Sequence, residues 1–167
     1  MIWINIGRFI LLVVIQLFIL NNINLGGMVN PYLFVLFILK LPFNTPKYLL
    51  LLSAFTLGLL LDIFTSTPGI NAATCVLAAF SRPFVIALIS SKRSFESGIQ
   101  PSVRDMGLGW YLAYSGIIVS LHHFSFFFME IFRFQEAGFT LVRAVLSISF
   151  TMLLIFLTEY LFFRPRA

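Results

Sequence analysis

The sequence has few charged residues and almost no cysteine. Only 10% of its 167 residues are Asp, Glu, Lys or Arg, and Cys75 is the single cysteine. One cysteine excludes an intramolecular disulfide and a cysteine-rich metal site. So small a charged fraction, beside 60% hydrophobic residues, leaves too little polar surface for a water-soluble domain. The composition therefore predicts an integral membrane protein.

Basic residues outnumber acidic ones by 11 to 6. They are not clustered on a hydrated face, as binding to nucleic acid would require, so no nucleic-acid partner is expected. Most of them lie at the ends of apolar runs, where membrane topology places them. No alternating apolar pattern occurs, which argues against a transmembrane barrel and favours an all-α fold.

Six apolar runs predict one transmembrane domain, 1–167, folded as a six-helix bundle. The expected helices are 2–20, 25–41, 48–64, 70–89, 108–129 and 139–163. The first is expected to be a retained anchor, because no small-x-small cleavage site follows Leu20. The second is either a short span or a re-entrant segment, because 31–41 forms only about 17 Å of helix against a hydrocarbon core of roughly 30 Å.

The distribution of lysine and arginine predicts the orientation in the membrane. Loops 42–47 and 90–106 are basic, as are Arg164 and Arg166, whereas the opposite side keeps only Arg133. The basic side is expected to be cytoplasmic. Arg8 favours six spans with both termini in the cytoplasm. If the second segment re-enters instead, only the N-terminus moves to the outside.

Ionisable residues inside the apolar runs are candidate functional residues, because each costs about 2.5–3.5 kcal/mol on insertion scales. Their depths, at about 1.5 Å per residue, separate them into two layers. The outer half is expected to contain Asp62, His122, His123 and Arg143. The cytoplasmic half is expected to contain Arg8, Arg82 and Glu159.

Partners can be proposed for some of these groups. Asp62 and Arg143 are expected to form a buried ion pair that fixes helix packing, with a proton relay as the alternative. Arg82 is expected to satisfy the carbonyls that Pro83 frees. Glu159 is expected to extend to the membrane boundary.

Helical periodicity assigns some faces to the interior. Ala54 and Gly58 form a small-x-x-x-small surface, which predicts a close helix neighbour. The fourth helix is expected to turn one face inward, formed by Asn71, Cys75, Ala78 and Arg82. In the fifth helix, His122 is the better candidate for the interior than His123, and no shared metal site is expected because adjacent residues point about 100° apart. The phenylalanines at 126–128 are expected to face lipid or to lie at the membrane interface.

One segment resembles a known family. Gly58 begins the sequence GLLLDIF, which places Asp62 four residues later near a predicted helix end. A turn with Pro68 and Gly69 follows, and Asn71 lies at the start of a helix rich in small residues. These motifs resemble the rod shape-determining protein MreD family, and the size and the basic loops agree along the whole chain.

The resemblance implies a non-enzymatic component of the bacterial cell-elongation machinery in the inner membrane, surrounded by membrane lipid. It implies binding to MreC and, through MreC, to actin-like MreB, a SEDS-type glycosyltransferase and its penicillin-binding transpeptidase. The family fold is also similar to the substrate-binding subunits of energy-coupling-factor transporters. The alternative is therefore a subunit that binds a vitamin-like small molecule, with 21–30 as a lid.

A membrane enzyme is the third class of function. The sequence contains no G-x-S-x-G, H-E-x-x-H or Walker motif. No catalytic residue, cofactor or metal is therefore expected.

Overall fold

The computed structural model describes residues 2–23, 27–90, 99–131 and 137–162. Within these ranges the chain is helical and contains no strand. The helices are α1 (Ile2–Phe18), α2 (Val35–Lys40), α3 (Lys47–Thr65), α4 (Ile70–Ile89), α5 (Val103–Met106), α6 (Leu108–Ile131) and α7 (Ala137–Phe162), with a 3-10 turn at Leu20–Asn22. The expected basic loop residues Lys92, Arg93, Arg133, Arg164 and Arg166 lie outside the described residues.

Five helices in the described part of the chain, α1, α3, α4, α6 and α7, are long and apolar enough to cross a membrane. Their ends lie within two residues of five of the expected ranges. They pack in sequence, with α3 against α4, α4 against α6 and α6 against α7. Large apolar side chains cover the outer faces, for example Phe64, Leu88 and Tyr160. The described part of the chain is therefore all-helical, and five of its helices have the length and composition of transmembrane helices.

The second segment differs from the other five. Among the described residues of the expected helix 25–41, only Val35–Lys40 form an α-helix, and all six of these residues are buried. Six residues rise about 9 Å, so α2 cannot cross a bilayer by itself. Gly27 has φ +69°, and Pro31 lacks a backbone N–H, so the residues before α2 do not continue as a helix.

Side chains from α1 and α7 satisfy this non-helical stretch. The backbone N–H of Tyr32 donates to Thr151 Oγ1 at 3.1 Å, and that of Leu33 donates to Gln16 Oε1 at 3.0 Å. Gln16 Nε2 also donates to the carbonyl of Pro31 at 2.9 Å. Irregular backbone at membrane depth requires such protein partners, because lipid offers none.

The described structure corrects one expectation about faces and confirms another. Phe126 and Phe127 are buried, and only Phe128 is exposed, because three successive helical residues sweep about 200° and cannot all face lipid. The inward face of α4 is confirmed: its members, Asn71, Cys75, Ala78 and Arg82, are all buried.

Candidate functional site

A carboxylate of α3 caps the start of α4. Asp62 Oδ1 accepts hydrogen bonds from the Thr67 hydroxyl, from Asn71 N at 3.0 Å and from Asn71 Nδ2 at 3.1 Å. Its Oδ2 accepts from Ala72 N at 2.8 Å. The first N–H groups of a helix lack intrahelical partners, and a negative charge there is favoured by the helix dipole. Asp62 therefore fixes the beginning of α4 against the end of α3.

Gly58 allows the two helices to approach closely at this point. A Cβ on Gly58 would lie against the carbonyl oxygen of Asn71, 2.5 Å from Ala72 Cα and 2.6 Å from Ala72 N. These are backbone atoms, which cannot turn aside as a side chain does. The close neighbour expected beside Ala54 and Gly58 is therefore confirmed, and it is α4.

The turn between α3 and α4 depends on two residues with positive φ. Ser66, after the last residue of α3, has φ +55°, and Gly69, before the first residue of α4, has φ +80°. Pro68 lies between them, and Gly69 N donates to Thr67 O at 2.9 Å. Glycine suits this position because it adopts positive φ without steric cost. We call Gly58, Asp62 and the turn 66–69 the α3–α4 joint.

The expected ion pair between Asp62 and Arg143 is wrong. Arg143 lies 3.8 Å from Glu130 of α6, and its guanidinium lies 5.0 Å from the ring centre of Phe127. Similar depth did not make Asp62 a neighbour of Arg143, because the carboxylate turns toward α4. The arginine instead joins the end of α6 to the beginning of α7.

His122 lies in the interior as expected, but His123 is equally buried, so the distinction drawn between the two histidines of α6 is wrong. His122 Nε2 lies 3.3 Å from Thr74 Oγ1 on α4, and His123 Nε2 lies 3.0 Å from Thr151 Oγ1 on α7. Helix α6 lies between α4 and α7, so both directions point into protein. No group of three metal-ligating residues occurs in the part of the chain that the structure describes.

The opposite end of the bundle contains a buried ion pair between α2 and α7. Lys40 Nζ contacts Glu159 Oε1, which also accepts from Tyr111 OH at 3.1 Å. Lys40 Nζ donates in addition to the carbonyl of Pro101 at 3.0 Å. Lys40 and Glu159 are only 6% and 5% exposed. The expectation that Glu159 extends to the membrane boundary is therefore wrong, because α2 brings a lysine to it.

Arg82 holds the end of α2 rather than its own helix. Its guanidinium donates to the carbonyls of Leu41 and Pro42, and its Nε donates to Tyr114 OH at 2.7 Å. Tyr114 OH donates in turn to Leu39 O at 3.1 Å. The last carbonyls of a helix are unpaired and favour a cation. The expectation that Arg82 serves the carbonyls freed by Pro83 is wrong for this reason.

Two cavities accompany these polar groups. One, of about 530 Å³, lies at the Asp62 end of the bundle; among its lining residues are Gln16, Asn21, Asn30, Thr67 and Asn71. We call it the amide cavity. The other, of about 660 Å³, lies at the opposite end among α1, α2, α5 and α7. We call it the Glu159 cavity. Residues 24–26 of the expected lid lie outside the described residues.

In comparisons with protein-family models, curated proteins and solved structures, nothing matches this chain significantly. The function must therefore be inferred from the geometry. The candidate residues do not converge on one site. Gly58, Asp62, Pro68, Gly69 and Asn71 form or adjoin the α3–α4 joint. The remaining candidates, Arg82, His122, Arg143 and Glu159, connect other pairs of elements.

The sequence interpretation missed four positioning residues. Gln16, Lys40, Thr151 and Tyr114 all bind the segment around α2. Gln16 carried a signal, because it is an amide within an otherwise apolar run. Lys40 carried no such signal, because a lysine at the end of an apolar run is what membrane topology alone explains.

Proposed function

We propose that the chain is a non-enzymatic, MreD-type component of the bacterial cell-elongation machinery and that it acts by binding MreC. MreB, the SEDS glycosyltransferase and the penicillin-binding transpeptidase would be reached through MreC. In this proposal the chain lies in the inner membrane, with the Glu159 end and both termini on the cytoplasmic side.

The α3–α4 joint is the observation that supports the proposal. Four residues that carry the resemblance, Gly58, Asp62, Pro68 and Gly69, lie at one place. Gly58 allows the close contact, Asp62 caps α4 and Gly69 supplies the positive φ of the turn. Both oxygens of Asp62 accept hydrogen bonds from the chain itself. A carboxylate used in this way positions helices, which is what a scaffold requires.

The proposal also counts six transmembrane elements. The segment around α2 would be a broken second element that enters the bundle, and the total of six would agree with the six-helix subunits of energy-coupling-factor transporters that the family fold resembles. Its support is the set of side chains from α1, α4, α6 and α7 that hold it at both ends. Broken segments at membrane depth are tolerated when protein surrounds them.

An outward surface for a partner helix is available on α6. Gly109 and Ala113 are exposed and four residues apart, so they lie on one stripe of the helix. A Cβ on Gly109 would meet nothing within 4 Å, so the position is open. Small residues at this spacing allow close contact between membrane helices. In this proposal MreC contacts this stripe.

Affinity purification from native bacterial membranes tests the proposal. The tagged chain is expected to retain MreC, and Ala113→Leu is expected to reduce MreC recovery at least tenfold. Ala87→Leu is the matched control, because Ala87 is equally small and exposed but lies on α4. If the unsubstituted tagged chain is purified without MreC, the proposal is overturned. Equal recovery after both substitutions would overturn the assignment of the stripe.

A second candidate function is the binding of a small molecule, and the amide cavity favours it. Its volume of about 530 Å³ lies in the range of ordinary ligand sites, and several amides and hydroxyls converge on it. Mass spectrometry of small molecules released from the purified chain tests this function. One compound at a constant molar ratio, lost in Asn71→Leu and retained in Thr56→Leu, an exposed position outside the lining, would favour it over the scaffold.

A further inference from the structure

The Glu159 cavity contains hydrogen-bonding groups that the described part of the chain does not use. It has a volume of about 660 Å³ and is lined by residues of α1, α2, α5 and α7. We propose that this cavity binds the headgroup of one aminophospholipid, with its phosphate at Arg8 and its primary ammonium at Glu159. This site is separate from the amide cavity and does not depend on the proposed function.

The unused acceptor is Glu159 Oε2. Its sister atom, Oε1, accepts from Lys40 and Tyr111, whereas Oε2 is buried and has no hydrogen-bond partner among the described residues. A buried carboxylate oxygen without a partner is costly, because it has lost water and gained nothing in exchange. A primary ammonium in the cavity would donate to this atom and remove that cost.

The unused donors belong to Arg8. Within the described structure its guanidinium donates to Asn5 Oδ1 at 3.2 Å, to Lys40 O at 3.3 Å and to Gln100 Oε1 at 3.2 Å. A guanidinium has five N–H donors, so these three bonds leave donors for a ligand. Phosphate oxygens are preferred acceptors for arginine. The acceptors that hold Arg8 also orient it at the cavity.

The charge balance of the lining favours a zwitterion over an anion. Two cations, Arg8 and Lys40, line the cavity together with two carboxylates, Glu159 and Asp105. A purely anionic headgroup would gain from Arg8 but would place its charge near two carboxylates. In a zwitterionic headgroup, the phosphate would lie near the cations of the lining and the ammonium near the carboxylates.

The apolar part of the lining indicates a lipid rather than free phosphoethanolamine. Ile4 and Leu11 of α1 line the cavity and are 62% and 51% exposed. Leu12 and Leu36 line it further inside and are buried. An acyl chain beside Ile4 and Leu11 would remain in contact with the membrane while the headgroup lies between the charges.

Native mass spectrometry of the full-length chain tests the proposal. The protein is released from nanodiscs that contain equal parts of phosphatidylethanolamine, phosphatidylcholine and phosphatidylglycerol, and the retained lipids are identified. One phosphatidylethanolamine per chain is expected, at least tenfold enriched over the other two. Phosphatidylcholine is the sharp comparison, because its trimethylammonium has no N–H to donate to Glu159 Oε2. Displacement of that lipid by free phosphoethanolamine at micromolar concentration would contradict a role for the acyl chains.

Variants separate the two contacts. Glu159→Gln is expected to abolish the preference for ethanolamine over choline, and Arg8→Gln is expected to reduce retention of both lipids tenfold. Because loss of the Glu159 carboxylate also removes an ion pair with Lys40, a steric variant is needed. Leu11→Trp fills the cavity and is expected to expel the lipid, whereas Ile10→Trp, at an equally exposed neighbouring position outside the lining, is expected to retain it. Equal retention of the three lipids by the unsubstituted chain would overturn the proposal, as would full retention in Leu11→Trp.

Discussion

The two ends of the bundle each bury a carboxylate, but they satisfy it differently. At one end, Asp62 uses both oxygens to accept from Thr67, Asn71 and Ala72, all within ten residues of chain. At the other end, Glu159 uses one oxygen for Lys40 and Tyr111 and leaves Oε2 without a partner in the described structure. The first arrangement is complete and local. The second connects distant segments and has capacity for a ligand.

The comparison separates a structural role from a binding role for the same chemical group. A buried polar group whose hydrogen bonds are all made within the protein stabilises one arrangement of helices. A buried group that keeps an unused hydrogen-bond acceptor beside a cavity is stabilised when a ligand donates to it. Burial alone therefore does not distinguish the two carboxylates, but their hydrogen-bond partners do.

The largest effect is expected at the Glu159 end, where breaking the ion pair leaves an isolated charge. Lys40→Met is expected to lower the free energy of unfolding by about 3–5 kcal/mol, because Glu159 stays buried without its cation. Lys40→Met combined with Glu159→Leu is expected to cost less than the single change. Unfolding by titration with dodecyl sulfate in mixed micelles measures both. A double variant that is less stable than Lys40→Met would contradict the pairing.

A smaller loss is expected at the α3–α4 joint when the helices are forced apart. Gly58→Ala is expected to cost about 1–3 kcal/mol, because the new Cβ meets backbone atoms of Asn71 and Ala72. Gly116→Ala is the matched control, since its Cβ would lie 4.0 Å from the flexible end of Met152. The control is expected to gain up to about 1 kcal/mol from helix propensity. Equal changes in the free energy of unfolding for the two substitutions would contradict the close contact between α3 and α4.

Removal of the cap from α4 is expected to cost less again. Asp62→Ala is expected to lower the free energy of unfolding by about 1–2 kcal/mol, as for other helix caps, because the amides of Asn71 and Ala72 lose their acceptor. Asp62→Asn is expected to retain part of this energy, since an amide oxygen still accepts from one N–H. If Asp62→Asn proves as harmful as Asp62→Ala, charge rather than hydrogen bonding is responsible.

The smallest effect is expected at Arg143. Its partner Glu130 is half-exposed and 3.8 Å away, so Arg143→Gln is expected to cost less than about 1 kcal/mol. Combined with Asp62→Ala, the two losses are expected to add within about 0.5 kcal/mol, because the residues do not interact. A larger coupling energy in this double-mutant cycle would restore the ion pair that the sequence predicted.

Hydropathy and helical periodicity predicted the long helices and the inward face of α4, because both depend on local sequence. The importance of Gly58 and Asp62 was also visible, since a small residue and a carboxylate one turn apart mark a helix contact. Depth alone could not predict the partners. Lys40 of α2 meets Glu159 of α7 through the tertiary arrangement of the two elements, and nothing local to either residue indicates this.

Hydrogen exchange at the start of α4 tests the central claim, that buried polar groups at the Asp62 end position helices. In nanodiscs, the amides of Asn71 and Ala72 are expected to be protected in the unsubstituted chain and to exchange at least tenfold faster in Asp62→Ala. Arg143→Gln is expected to leave both rates unchanged. Unchanged protection in Asp62→Ala would contradict the claim, since it would mean that Asp62 does not hold these amides.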